Sequence, residues 1–138
     1  RFGKFTDMFK EGFAGFNQQQ QNIINLYANK LNRVLSQLEV YSAVIPIKGE
    51  TYNMCSTFAS ECINDVADHM LSNYKSDVVM VVNTKSSKVS FRKSKKCELD
   101  LSRFSQSVCD EAGGHSFAAG GMLCDKYMNF AKLFNPTT

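Results

Sequence analysis

Apolar side chains recur at spacings of four, four, three and four through Ile23, Tyr27, Leu31, Val34 and Leu38, with Ile24 and Leu35 widening the stripe. That period lines one side of an α-helix and predicts a long amphipathic helix from about Gly15 to Tyr41, its other face Gln, Asn and a few charges. Ahead of it, Phe2, Phe5, Phe9 and Phe13 sit among Gly and charged residues, a pattern compatible with a short helix that docks elsewhere. The period then changes. Residues 41–49 (YSAVIPIKG) read as a strand and a turn, with Pro46 favouring an edge or a strand end because it has no N–H to donate. Thr57 or Ser56 is expected to cap a helix that carries Ala59, Ile63, Val66, Met70 and Tyr74 on one face. Residues 77–82 (DVVMVV) form a continuous apolar strand of the kind covered on both faces, and residues 83–87 turn into an alternating antiparallel partner, Lys88 to Arg92. A polar helix from about Leu101 to Glu111 buries Leu101, Phe104 and Val108 until Gly113 stops it, and a last strand runs from Phe117 to Leu123. Helices alternating with such strands predict an α/β fold: a mixed β-sheet flanked by helices and preceded by a long N-terminal connector helix. Residues 1–40 are then a helical arm or interdomain connector, and residues 41–138 the domain proper.

A chain of 138 residues holds one ordinary domain with a real core. No apolar run approaches the roughly eighteen residues of a membrane-spanning helix, so no membrane partner is expected. The start at Arg1 without methionine leads to the expectation that the chain begins inside a longer protein. Five cysteines, Cys55, Cys62, Cys97, Cys109 and Cys124, are an odd number without a C-x-x-C pair, which argues against a disulfide framework or a structural zinc site and for reduced thiols in a cytoplasmic protein. The net charge of +3 permits a polyanionic ligand without pointing to one, so its distribution matters more.

His69 and His115 are the only histidines. Asp65 and His69 share a helix face near Asp68, which reads as a solvated pair rather than a metal site. Neither a G-x-S-x-G turn nor a P-loop pattern is present. What remains is a basic strand and a glycine–histidine turn. Six basic residues, Lys85, Lys88, Arg92, Lys93, Lys95 and Lys96, fall within twelve positions that contain no acid. Strand alternation points Ser90 and Arg92 to one face while Val89 and Phe91 enter the core. Peptide groups at Gly113 and Gly114 can cradle an anion, His115 can add a donor, and Arg92 can grip two phosphate oxygens at once.

These residues resemble a known family. Gly113-Gly114-His115-Ser116-Phe117-Ala118-Ala119-Gly120 is similar to the GGHxxAAG signature of the DHHA1 domain, the C-terminal substrate-binding domain of the DHH phosphoesterases, which include nanoRNases, cyclic-dinucleotide phosphodiesterases and a single-strand exonuclease. Upstream, Val89-Ser90-Phe91-Arg92-Lys93-Ser94 resembles the family's V-S-x-R-S strand, with Lys93 inserted before the serine. Asp100-Leu101-Ser102 resembles its D-V-S helix opening, and Ala59-Ser60-Glu61-Cys62-Ile63-Asn64 its A-S-E-x-x-N helix start. The resemblance spans about residues 42 to 124. It implies that Gly113, Gly114 and His115 grip phosphate and terminal nucleotide, that Arg92 clamps phosphate, and that Ser90 and Ser94 support it. It also implies that this chain binds no cofactor itself, and that a preceding DHH catalytic domain holds the divalent metal, usually manganese, for phosphodiester hydrolysis. The parent would be a phosphodiesterase or exonuclease and this chain alone inactive. Its partners are short RNA or DNA or a cyclic dinucleotide, the upstream DHH domain and, as an open option, a second copy in a homodimer. The alternative is a non-catalytic nucleotide- or nucleic-acid-binding regulatory module with the same fold.

Overall fold

The computed structural model describes residues 16–137, which divide into two units between Gln37 and Leu38. The phenylalanine-rich segment at residues 1–15 lies outside the described residues. The first unit contributes helix α1 (Gln18–Ser36). Its start is built by a capping box: the Asn17 side chain accepts from the Gln20 N–H at 2.8 Å, and the Gln20 side chain accepts from the Asn17 N–H at 3.0 Å. Arg33 in the last turn complements the negative end of the helix dipole. The helix is shorter than its apolar period suggests, because Gln37 leaves helical geometry and Leu38 falls beyond it.

The second unit is a seven-stranded mixed sheet in the order β5-β6-β4-β3-β2-β1-β7. Its elements run β1 (Tyr41–Ile47), β2 (Glu50–Ala59), α2 (Ile63–Asn73), β3 (Val78–Asn83), β4 (Lys88–Lys93), α3 (Leu101–Val108), β5 (Asp110–Gly114), β6 (Ala118–Met122), α4 (Asp125–Ala131) and β7 (Asn135–Pro136). β2 and β3 are parallel, joined by the α2 crossover; the other pairs are antiparallel. β1 and β2 form a hairpin over Lys48-Gly49, both with positive φ (50° and 85°), as a two-residue turn of this kind requires. β7 pairs only with Tyr41 and Ser42, so Pro46 does lie on an open stretch of edge.

Val78 to Val82 are buried on both sides of the sheet. Helix α2 packs on one face with Val66, Ala67 and Met70, while α3 and α4 bring Leu101, Phe104, Val108 and Tyr127 to the other. Phe91 anchors that second face, its ring 5.9 Å from Phe104 and edge-on at 89°, with Phe130 next in line. The β3–β4 turn is closed by the Asn83 side chain, which accepts from the N–H groups of Lys85 and Ser86.

Two expected elements are corrected. Ser56 and Thr57 do not cap a helix: they are buried in β2, and the Thr57 hydroxyl donates to the Glu39 carbonyl at 2.7 Å. Helix α2 starts after Cys62, whose left-handed backbone (φ 57°) turns the chain without a side-chain cap. Helix α3 stops at Val108, not at the glycines, because Cys109 is already extended (φ −132°, ψ 159°). Its start is capped by Asp100, which accepts from the Ser102 N–H at 2.9 Å. The five cysteines are free, and burial pushes the Cys109 thiol up to about 12, far from a ready nucleophile. Among the described residues, no helix is long and apolar enough to cross a membrane.

Candidate functional site

Strand alternation in β4 buries Val89 and Phe91 against α3 and α4 and turns Ser90 and Arg92 to the α2 face. There the Arg92 guanidinium meets the first turns of α2. Its Nη2 donates to Asn64 Oδ1 at 2.8 Å and its Nη1 to Asp68 Oδ1 at 3.4 Å. Asn64 and Asp68 are one helical turn apart, so one face of α2 braces the group. Two of a guanidinium's five donors are used this way, which leaves others for a ligand.

The β5–β6 hairpin delivers the second half of the site. Its register pairs Gly113 with Gly120 and Gly114 with Ala119, and the His115 N–H donates to the Ala118 carbonyl at 2.8 Å. The tip is tied to α3 as well, since the Leu101 N–H donates to the Ser116 carbonyl at 2.9 Å. Ala118 is the register partner of Arg92, so the hairpin tip lies beside the end of β4. At that tip the rings of His115 and Phe117 stack, 5.2 Å between centroids and 7° from parallel.

A cleft of about 600 Å³ opens between these elements, lined by Arg92, Lys93, Ser94, Lys95, Phe117 and Ala118 among others, and no carboxylate lines it. Lys93 is tethered, its Nζ donating to the Leu99 carbonyl at 2.7 Å, whereas Lys95 is exposed. Ser94 is fixed by its N–H to the Asp77 carbonyl at 2.9 Å. A second cleft, about 360 Å³, gathers Glu50, Asp77 and Glu98 around Tyr52 and Lys96. Its carboxylates repel an anion, so charge distinguishes the two clefts.

The expected site residues thus separate. Arg92 and Ser94 share the cleft; Ser90 lies on the same face but pairs with Val81 and Gly120 in the sheet. His115 does not line the cleft and adjoins it only through its stack on Phe117, which does. Gly113 and Gly114 are strand residues of the hairpin and not a helix-terminating turn. Gly114 has φ 140°, and a Cβ there would meet the Ala118 carbonyl and Ala119 Cα at 2.8 Å each; at Gly113 it would meet nothing within 4 Å. Phe117, Asn64 and Asp68 were not singled out for the site in the sequence, although Asn64 stands in the helix-start motif. His69 takes no part: its Nδ1 lies 3.1 Å from Asn73 Nδ2 on its own helix. Among the described residues, no group of three or more His, Cys, Asp or Glu side chains is placed to hold a metal ion.

No protein-family model matches the chain, and no curated protein matches it. Among solved structures, an uncharacterized protein from Helicobacter pylori G27 is similar, with a TM-score of 0.48 and 19% sequence identity; the match covers 88% of this chain and 35% of that one.

Proposed function

We propose that residues 38–138 form a nucleotide-gripping domain that holds a phosphate on Arg92 for phosphodiester hydrolysis by a preceding DHH catalytic domain. One observation carries this reading: an arginine braced by Asn64 and Asp68 opens into a basic cleft shared with Ser94 and an exposed aromatic ring. A braced guanidinium has already lost much of its rotamer freedom, so less is lost when it closes on a phosphate. Ser94 can add a hydroxyl donor, and Lys95 supplies further positive charge. The His115 imidazole can add a donor at the hairpin tip. The divalent metal, manganese by the family resemblance, belongs to the catalytic domain. A cytoplasmic setting fits five unpaired thiols.

The test is calorimetric titration of the chain with a nucleoside 5′-monophosphate and with the nucleoside itself, which carries no phosphate. Removing the phosphate is expected to weaken binding about ten-fold or more, the loss of a charge-assisted hydrogen bond of about 1.5–3 kcal/mol. Equal affinity for the two ligands contradicts the reading.

A further inference from the structure

The two edges of the sheet are built differently. β5 carries Asp110 and Glu111 and is bulged between Asp110 and Gly113, with Glu111 at φ 46°. Charge and a bulge keep a foreign strand off an edge. β1 has neither from Ala43 to Ile47, where AVIPI runs in unbroken register with β2. Val44 is 64% exposed, and among the described residues β7 reaches only Tyr41 and Ser42 on the outer side of this strand.

The Thr137 N–H donates to the Val40 carbonyl at 2.8 Å, so the even-numbered residues turn their peptide groups outward, as the two-residue turn between Ile47 and Glu50 also requires. Val44 then offers an N–H and a carbonyl, and Pro46 a carbonyl alone. An antiparallel strand that exchanges both bonds with Val44 also reaches the Pro46 carbonyl with its own N–H. A second copy of β1 fits less well. Centred on Val44 it runs into β7 at Ser42; centred on Ile45 it sets the Val44 carbonyl against the Pro46 nitrogen, which has no proton.

Side chains of an added strand opposite Ile45 and Ile47 share the face of Tyr52 and Glu50, the β2 partners of those residues. That face holds the cleft of Glu50, Asp77 and Glu98, lined by one cation, Lys96. An added strand lies two strand spacings from β2, about 10 Å, within the combined reach of a lysine and a glutamate. The chain as a whole carries +3, so this acidic face beside an open edge runs against its net charge. We infer that residues 43–47 take up an extended basic peptide as an added antiparallel strand, its basic side chains directed to the cleft of Glu50 and Glu98. The inference does not depend on the phosphate reading.

The probe is a fluorescein-labelled peptide, Thr-Lys-Val-Lys-Val-Thr, capped at both ends and titrated by fluorescence anisotropy with the full 138-residue chain. Its counterpart with both lysines replaced by glutamate is expected to bind about ten-fold or more weakly, a gap that narrows as salt is raised. N-methylation of the second valine, which stands opposite Val44 and donates to its carbonyl, should abolish binding. The double variant Glu50→Gln, Glu98→Gln should bring the two peptides close to equal affinity. Equal binding of both peptides to the unaltered chain, an undiminished N-methylated peptide, or no binding of the lysine peptide overturns the inference and leaves the Arg92 cleft untouched. Self-association of the chain that is lost in a folded Val44→Pro variant also overturns it, by placing a second copy on the edge.

Discussion

Gly114→Ala is expected to destabilise the domain by about 3 kcal/mol, while Gly113→Ala, one residue away, leaves it unchanged or slightly more stable. The two glycines look alike in sequence and differ in geometry. Gly114 holds φ 140°, where an L-residue is strained, and its added Cβ would sit 2.8 Å from backbone atoms of β6, which can yield only by moving the strand. Strain of about 1–3 kcal/mol and overpacking of a similar size act together. β6 is held by β4 on its far side and covered by α3, so the displacement is resisted. At Gly113 the Cβ enters open space, and replacing glycine reduces the freedom of the unfolded chain. Thermal midpoints check the contrast: a fall of more than about 10 °C for Gly114→Ala, and within a few degrees of the parent for Gly113→Ala. Equal behaviour of the two variants would show that the hairpin does not depend on this close approach.

Arg92→Ala is expected to abolish the phosphate dependence of ligand binding, weakening the nucleoside 5′-monophosphate about ten-fold or more and bringing it level with the nucleoside. Stability should change much less. The bond to Asp68 is a partly exposed ion pair at 3.4 Å, a class worth about 0–1 kcal/mol, and the bond to Asn64 adds about 0.5–1.5 kcal/mol. Arg92→Lys should not restore affinity, because a point charge cannot face Asn64, Asp68 and a phosphate at once as a planar fork does. Calorimetry with the nucleotide and the nucleoside reads the ligand effect and urea unfolding reads the fold. Retained phosphate dependence in Arg92→Ala would make this residue a brace for α2 and nothing more.

The central part of the sheet was legible because its pattern had few alternatives. Five consecutive apolar residues from Val78 to Val82 can be only a strand buried on both faces or a short piece of buried helix, and the polar turn after Asn83 decides for a hairpin. β2 was hidden by a coincidence of spacing: Ala59, Ile63, Val66 and Met70 fit a helical period, and Ser56 and Thr57 look like caps. The structure breaks that run at Cys62, whose left-handed backbone separates strand from helix, a conformation that residue type does not announce. Similarly, the helix beginning at Leu101 could be placed from Asp100, but its end depends on strand pairing of Asp110 to Gly114 with β6, a non-local contact. The alternation that displays Arg92 was readable from four residues. Its brace was not, since Asn64 and Asp68 are 28 and 24 positions away and meet it only once α2 packs on the sheet. Phe117 was masked by its company: within an apolar stretch an aromatic reads as core, and only the hairpin register places it at an exposed tip.

The claim that this cleft binds a phosphorylated nucleotide is tested most directly by two-dimensional NMR of the isotope-labelled chain during titration with the nucleoside 5′-monophosphate. The account predicts that the largest shifts fall on the Arg92 side-chain Nε–H and on the backbone amides of Ser94, Lys95, His115 and Phe117, with little change around Glu50, Asp77 and Glu98. Shifts centred on that acidic cleft, or a spectrum unmoved at ligand concentrations that saturate binding by calorimetry, would contradict it.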